Sequence, residues 1–280
     1  MCSGMRECAV RTIVITGGTD GMGAALARHY LAAGDRVVVI GRSRAKFEAL
    51  VAASQSPSAP SRAEFIAADL ALVEDSRRVV DHLKESHERI DALVLAASFI
   101  RQRRHSTPEG HEASWSLFFL SKYLFVTQLA DLLRAGDRPV IVNTAVPGAR
   151  PDAIGFDDLE MVDGFTFKRS NAQQRRANEL LGILATDQNS DLSYVTWGPA
   201  RLVRSSFAGE VGAGMKFAAA ILGPLLGQRP EDAIQPIINI IDTPTPGRAA
   251  YRGAKTRPLA VGPHDEKDAA RLASAVEEIL

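Results

Sequence analysis

A glycine-rich stretch near the start of the chain has the residue types and spacing of a phosphate-binding loop. In VITGGTDGMGAALA, Gly17, Gly21 and Gly23 stand between a β-branched run and a helical pattern. Glycines at such a junction permit a tight turn and let the backbone approach a pyrophosphate at the positive N-terminus of a helix. A purely structural turn would also use glycine, but the strand before it and the helix after it favour nucleotide binding. The predicted loop contacts are Gly17, Thr19, Asp20, Gly21, Met22 and Gly23.

The end of the second apolar run distinguishes two dinucleotides. Proteins that prefer NAD usually place an acid there, which bonds the ribose 2′-hydroxyl. Here the position is Gly41, and Arg42 and Ser43 follow it. A guanidinium without a carboxylate suits a 2′-phosphate, whereas a solvated basic start of a helix is the alternative. The sequence therefore favours NADP(H), with further contacts at Asp69, beside the adenine ring, and at Leu70, Ala96 and Ala97.

The elements that must position these residues alternate along the chain. Apolar strand patterns such as RTIVITGG, DRVVVIGR, AEFIAADL, IDALVLAAS, PVIVNTA and LSYVTWGP are separated by helical patterns, one of them long, at about 110–135. This alternation is typical of a parallel sheet covered on both faces. We predict an α/β protein with a Rossmann-like, doubly wound parallel sheet, forming a single domain over residues 1–280. The tail, RPLAVGPHDEKDAARLASAVEEIL, should add a strand and a closing helix.

The composition excludes several function classes. The 280 residues contain 33 Lys plus Arg and 33 Asp plus Glu, so no net field favours nucleic acid or an anionic membrane. Cys2 and Cys8 lack the spacing of a zinc site, so we expect no metal, and two reduced thiols fit the cytoplasm. The N-terminus has no apolar core of a signal peptide. The longest apolar stretch, 215–226, is too short to span a bilayer and contains Gly223-Pro224.

Several motifs together resemble the short-chain dehydrogenase/reductase family. They are the pattern Thr16-Gly17-x-x-x-Gly21-x-Gly23, ADL at 68–70 and IVN at 141–143. TPEGHE at 107–112, the stretch IGFDDLEMVDGF with SNAQQRRANELL, and the tail AARLASAVEEIL are similar to the retinol-dehydrogenase-like branch. The resemblance covers nearly the whole chain. It implies a dinucleotide-binding fold, carbonyl reduction, and a homo-oligomer assembled through the long helices.

The residues that would perform that reaction are replaced. Members of the family use an Asn-Ser-Tyr-Lys tetrad, in which Tyr donates the proton and Lys lowers the pKa of that Tyr. The resemblance aligns these positions with Phe118, Ala145 or Val146, Phe167 and Asn171, and Thr144 is the nearest hydroxyl. The family's Asn-Ala-Gly segment is Ala96-Ala97-Ser98 here. Phenylalanine cannot donate a proton, and loss of a positioned acid costs roughly a hundred- to ten-thousand-fold in rate. We therefore expect no standard carbonyl reduction.

A tyrosine and a lysine with the family's spacing occur elsewhere in the chain. Tyr251 and Lys255 in YRGAK have the spacing of neighbours on a helix. Gly253 lies between them, and a proline-rich turn at 243–246 precedes them. Both features disfavour a helix, so we interpret the spacing as coincidence.

The expected substrate pocket is apolar. Phe118, Ala145 and Phe167 would form its floor, although core packing is the alternative for the two phenylalanines. The segment 209–226, within a region of about 203–230, corresponds to the family's variable substrate lid, and its apolar character suits an apolar small molecule. The basic run RQRRH at 101–105 could steer an anionic substrate or a carrier-bound acyl chain, or form a solvated loop. The predicted pocket residues are Ser98, Phe118, Thr144, Ala145, Phe167, Asn171 and Arg204, the last replacing a threonine that contacts the cofactor amide in the family.

Three functions remain compatible with the sequence. The first is an atypical NADPH-dependent reductase of an iminium or a polarised alkene, with a role in secondary metabolism, for which positioning suffices and solvent can supply the proton. The second is a non-redox enzyme, such as a cyclase, lyase or isomerase, that uses the same pocket. The third is a regulator that binds the dinucleotide without catalysis.

Overall fold

Eight strands form one sheet in the computed structural model, which describes residues 10–54, 56–99, 101–201, 203 and 227–280. The strands are β1 (Thr12–Thr16), β2 (Arg36–Gly41), β3 (Ala63–Ala67), β4 (Ala92–Leu95), β5 (Val140–Asn143), β6 (Ser193–Gly198), β7 (Gly247–Arg252) and β8 (Lys255–Arg257). Their order across the sheet is β3-β2-β1-β4-β5-β6-β7-β8. Neighbours run parallel except for β7 and β8, which are antiparallel. The predicted doubly wound parallel sheet is confirmed.

Helices connect the strands and lie on both faces of the sheet. They are α1 (Gly21–Ala33), α2 (Arg44–Ala53), α3 (Ala59–Arg62), α4 (Val73–Ser86), α5 (Ala113–Trp115), α6 (Ser121–Gln128), α7 (Ala130–Arg134), α8 (Phe167–Gln188), α9 (Pro230–Ala233), α10 (Gln235–Asp242) and α11 (Asp265–Ile279). A π-helical turn, Ser116–Leu120, joins α5 to α6. Within the described residues, no helix is long and apolar enough to cross a membrane.

The central strands are buried on both faces, which is why their sequences are continuous apolar runs. Every residue of β1, β4 and β5 is buried. On one face the core includes apolar side chains of α4, α6, α8 and α11, and on the other face it includes those of α1, α2 and α10. The carboxyl ends of the parallel strands therefore meet at one edge of a rigid layer, where such folds bind their ligands.

The long helix expected at about 110–135 is interrupted. It consists of α5, the π-helical turn, α6 and α7. In the π-helical turn, the carbonyl of Phe118 accepts a hydrogen bond from Asn178 Nδ2 on α8, at 2.8 Å. A side chain from another helix thus binds a main-chain oxygen at the point where the α-helical ladder is broken.

The prediction of a strand at the start of the tail is wrong. Arg257 is the last residue of β8, and the segment PLAVG that follows it forms no strand; Leu259 and Val261 are exposed. Pro258 lacks an N–H for a ladder, and Gly262-Pro263 follows closely. The sheet ends instead with the hairpin of β7 and β8, and the closing helix, α11, forms as predicted.

Candidate functional site

The loop between β1 and α1 is held so close to its neighbours that side chains are excluded. Gly17 has φ 67°, and a Cβ atom there would lie 2.6 Å from the Cα of Ala97. A Cβ atom on Gly23 would lie 2.4 Å from the Gly17 carbonyl oxygen. The N–H of Gly17 donates to the carbonyl of Ile40 at the end of β2, at 2.8 Å. The glycines therefore bring the loop, β2 and the segment after β4 together.

A cavity of about 470 Å³ opens at this edge, beside the ends of β1, β2 and β4. Every residue predicted for the dinucleotide lines it: Gly17, Thr19, Asp20, Gly21, Met22, Gly23, Arg42, Ser43, Asp69, Leu70, Ala96 and Ala97. Of the predicted substrate-pocket residues, Ser98 lines the cavity, whereas Phe118, Thr144 and Ala145 do not. Phe99, Leu117 and Lys46 also line it and were not assigned to the site from sequence.

Two cations and two carboxylates face each other at the β2 end of the cavity. Lys46 Nζ lies 2.5 Å from Asp20 Oδ2, and Arg42 Nη1 lies 4.0 Å from Asp69 Oδ2. Asp20 also accepts from the N–H of Gly21 at 2.7 Å and so caps α1. Lys46 could have been anticipated, since it lies on the first turn of α2, three residues after Ser43. An arriving phosphate would meet a charge-balanced group in which each cation already faces a carboxylate.

The far end of the cavity is apolar. The ring of Phe99 contacts the ring of Phe118 edge-on, with the ring centroids 5.7 Å apart. The N–H and hydroxyl of Thr144 both donate to the carbonyl of Leu95, at 3.2 and 3.0 Å. The N–H of Ala145 donates to Asn143 Oδ1 at 3.1 Å. These contacts fix the start of the loop that follows β5.

Phe167 and Asn171 do not belong to this apolar end of the cavity. Both lie at the start of α8 and are exposed, and 48% of Phe167 is accessible to solvent. Neither is among the described residues that line the cavity. The helix is capped by the hydroxyl of Thr166, and its buried side begins with Ser170. The resemblance to the family suggested these two positions from sequence but says nothing about how far α8 turns them towards the cavity. Arg204 and most of the predicted lid lie outside the described residues.

Two charged residues of α8 hold the loop that follows β5. Arg175 donates from Nε to the carbonyl of Val146 at 2.6 Å and from Nη2 to that of Pro147 at 2.7 Å. Glu179 Oε1 accepts from the N–H of Gly148 at 2.7 Å. Burial lowers the pKa of Arg175 and raises the pKa of Glu179. The sequence analysis missed both; their only signal is the four-residue spacing from Asn171, which sets all three along one side of α8.

A buried polar network lies next to the ring of Phe118. Lys122 Nζ donates to Asn143 Oδ1 at 2.8 Å, and Asn143 Nδ2 donates to Asn178 Oδ1 at 2.6 Å and to the hydroxyl of Tyr194 at 2.8 Å. Lys122 Nζ also lies 5.9 Å from the centre of the Phe118 ring. Lys122 is 3% exposed, and burial lowers its pKa to about 7. A buried amine with a pKa near neutral pH therefore lies beside the ring of Phe118, which in turn contacts the cavity-lining Phe99.

Tyr251 and Lys255 do not lie on a helix, in spite of their spacing. Tyr251 lies on β7 opposite Thr256, and Lys255 lies on β8 opposite Arg252. The two residues are thus on separate strands of an antiparallel hairpin. Among the residues that the structure describes, no group of three or more His, Cys, Asp or Glu could hold a metal ion.

Comparison with known proteins gives one family. Residues 11–155 match the family described as short chain dehydrogenase. The chain is 33% identical over 181 residues to "Oxidoreductase calI" of Penicillium decumbens, covering 61% of this chain and 51% of that relative. The match thus spans about half of that relative's length.

A second relative supports the branch suggested by the sequence. The chain is 25% identical over 233 residues to retinol dehydrogenase 13 of Homo sapiens, covering 81% of this chain and 70% of that relative. Among solved structures, "Pseudomonas aeruginosa RhlG/NADP active-site complex" aligns with a TM-score of 0.61 at 20% identity, covering 88% of this chain and 96% of that one. The resemblance to retinol dehydrogenases is confirmed, and the fold is that of the solved structure.

Proposed function

Because the chain belongs to the short-chain dehydrogenase family, a family of oxidoreductases that use nicotinamide cofactors, we propose that it binds NADP(H) and acts as an atypical oxidoreductase on an apolar small molecule. One observation carries the proposal. The cavity combines a loop that only glycine fits with two cations, Arg42 directly after β2 and Lys46 on the first turn of α2, and β2 ends in Gly41 instead of an acid.

The residues present fit the cofactor. The glycine loop and the start of α1 suit the pyrophosphate, because backbone can approach closely there. Arg42, Ser43 and Lys46 suit the 2′-phosphate, provided that Lys46 is released from Asp20. RhlG, whose fold this chain shares, has been solved with NADP.

The nicotinamide supplies or accepts a hydride when the cofactor is bound. The contribution of the chain is to hold the substrate at the apolar part of the cavity, against Phe99 and Leu117, with the Phe118 ring packed against Phe99. No phenol or exposed ammonium occupies the positions that align with the family's Tyr and Lys. The substrate we propose accepts hydride without that acid, as an iminium or a polarised alkene does, and its proton comes from solvent.

Cofactor titration tests the first half of the proposal. NADPH should bind the full chain more tightly than NADH, and Arg42→Ala should remove most of the difference. Exposed Arg36→Ala, at the other end of β2, is the matched control and should leave it unchanged. Equal affinities of the two cofactors in the unmodified chain would refute the NADP(H) assignment.

Isotope transfer tests the second half. Incubation of cyclic iminium and enone substrates with NADPH deuterated at the nicotinamide C4 should give products that carry deuterium, while simple secondary alcohols and ketones should not turn over. Product without deuterium would favour the second candidate, a non-redox enzyme. That candidate is supported by the same missing acid and by the buried amine of Lys122, which changes charge near pH 7.

A further inference from the structure

The structure separates the roles of the basic run at 101–105. Arg104 donates from Nε to the carbonyl of Glu160 at 3.2 Å and from Nη1 to the hydroxyl of Ser106 at 3.0 Å. It therefore fastens its own loop to the segment before α8. Arg103 is exposed. Neither residue requires a ligand to explain it, and the run is not simply a solvated loop.

Arg101 differs from both. Its guanidinium carbon lies 4.9 Å from the centre of the Phe99 ring, and Phe99 lines the cavity. Its Nε atom is buried and has no hydrogen-bond partner among the described residues. A buried N–H of a cation without an acceptor is costly. Because Nε is closed to solvent, a ligand would be bound through the two Nη groups, which lie in the plane of the guanidinium and are not used by stacking on the ring.

We propose that Arg101 binds a carboxylate of the substrate, and that the substrate is an apolar acid. Its apolar body would rest against Phe99 and Leu117, which line the cavity, and its carboxylate would accept from the guanidinium. A single guanidinium matches one unit of negative charge, and its planar fork binds a carboxylate through two parallel hydrogen bonds. The inference deepens the proposed function by naming the substrate class, and it rests on that function for the place of the substrate.

A pair of isosteric probes tests the site. The full chain, with saturating NADP⁺, is titrated by calorimetry with 2-naphthoate and with the neutral 2-naphthamide. Naphthoate should bind about ten- to a hundredfold more tightly, the range expected for a charge-assisted hydrogen bond. Arg101→Met should abolish that preference, because methionine keeps the apolar contact with Phe99 and removes the donors. Arg103→Met, from the same run, is the matched control and should keep it.

Three results would overturn the proposal: equal affinity of the two probes, no measurable binding of naphthoate, or a preference that survives Arg101→Met. Arg101→Lys distinguishes a loss of charge from a change in packing. It keeps the charge and should therefore retain part of the preference for naphthoate. Affinity for NADP⁺ is measured separately in each variant, and the naphthoate titrations are repeated without cofactor. Failure to bind NADP⁺ then counts against the proposed function alone, while the cofactor-free titrations still report on Arg101.

Discussion

Lys122 Nζ lies 2.8 Å from Asn143 Oδ1, in a space from which solvent is almost completely excluded. Burial lowers the pKa of Lys122 from about 10.5 to about 7 in the folded protein. Between these two values the unfolded chain binds more protons than the folded one. The free energy of unfolding therefore gains a contribution that rises with pH from about 7 to 10.5.

Lys122→Met removes that contribution. The free energy of unfolding of the unmodified chain should rise relative to the variant by up to about 1.4 kcal/mol per pH unit between pH 7.5 and 9.5. Urea unfolding at several pH values measures this difference. Exposed Lys168→Met is the matched control and should follow the unmodified chain. Parallel pH curves for the unmodified chain and Lys122→Met would show that the amine keeps its charge when buried.

Asp20→Asn should tighten the binding of NADPH. The substitution removes a negative charge from the phosphate loop and with it the ion pair to Lys46, while the asparagine oxygen can still cap the Gly21 N–H. We expect roughly a three- to tenfold gain at low salt, larger for NADPH than for NADH and reduced as salt is added. Fluorescence titration measures it, with Asp131→Asn on α7 as a remote control. A loss of affinity would mean that Asp20 itself contacts the cofactor.

Gly17→Ala should abolish cofactor binding and destabilise the fold. Gly17 and Gly110 both have positive φ, but a Cβ atom on Gly17 would collide with Ala97, whereas one on Gly110 meets nothing within 4 Å. Gly110→Ala therefore gives the cost of the backbone conformation alone, roughly 1–2 kcal/mol. Gly17→Ala should cost more than that in urea unfolding and should fail to bind NADPH. If the two variants lose the same free energy of unfolding and both bind NADPH, the close approach of the loop to Ala97 has no energetic consequence.

Glu64 should protect the fold against mild acid. Hydrogen bonds from His87 and His82 lower its pKa from about 4.5 to about 2, although burial opposes them. The stabilisation is present above pH 4.5 and disappears as the pH falls towards 2. Because Glu64 is partly exposed, Glu64→Gln should cost only about 1–2 kcal/mol at pH 5, after allowance for solvent screening, and little at pH 2.5. Acid unfolding of Glu64→Gln beside exposed Glu85→Gln tests this; equal curves would contradict it.

The glycine-loop end of the cavity could be predicted because its determinants are local. A strand, a glycine loop and a helix follow one another directly, so spacing alone brings Gly17 and Gly23 to the edge of the cavity. The positions of Phe167 and Asn171 depend instead on how α8 is rotated against the sheet, which spacing does not report. Similarly, nothing local marks Lys122 as buried, since a lysine is ordinarily expected at the surface.

The strands at the sheet edge show a different limit of prediction from the sequence. PLAVG, which follows β8, has an apolar pattern but contains proline, whereas the three residues of β8, Lys255–Arg257, are polar and exposed. That strand exists because Gly253, at φ 59°, turns the chain back beside β7. A pairing created by one turn leaves almost no trace in hydrophobicity.

The last helix, α11, closes one side of the core. Ala269, Leu272 and Val276 are buried there, and Tyr123 on α6 donates to Glu277 on α11 at 3.1 Å. Arg176 on α8 binds Asp265. During synthesis, α6 and α8 leave the ribosome well before α11 exists. The apolar faces of α6 and α8 that pack against α11 are therefore exposed until residues 265–279 have been synthesised. During that time the nascent chain can bind chaperones or aggregate through these faces.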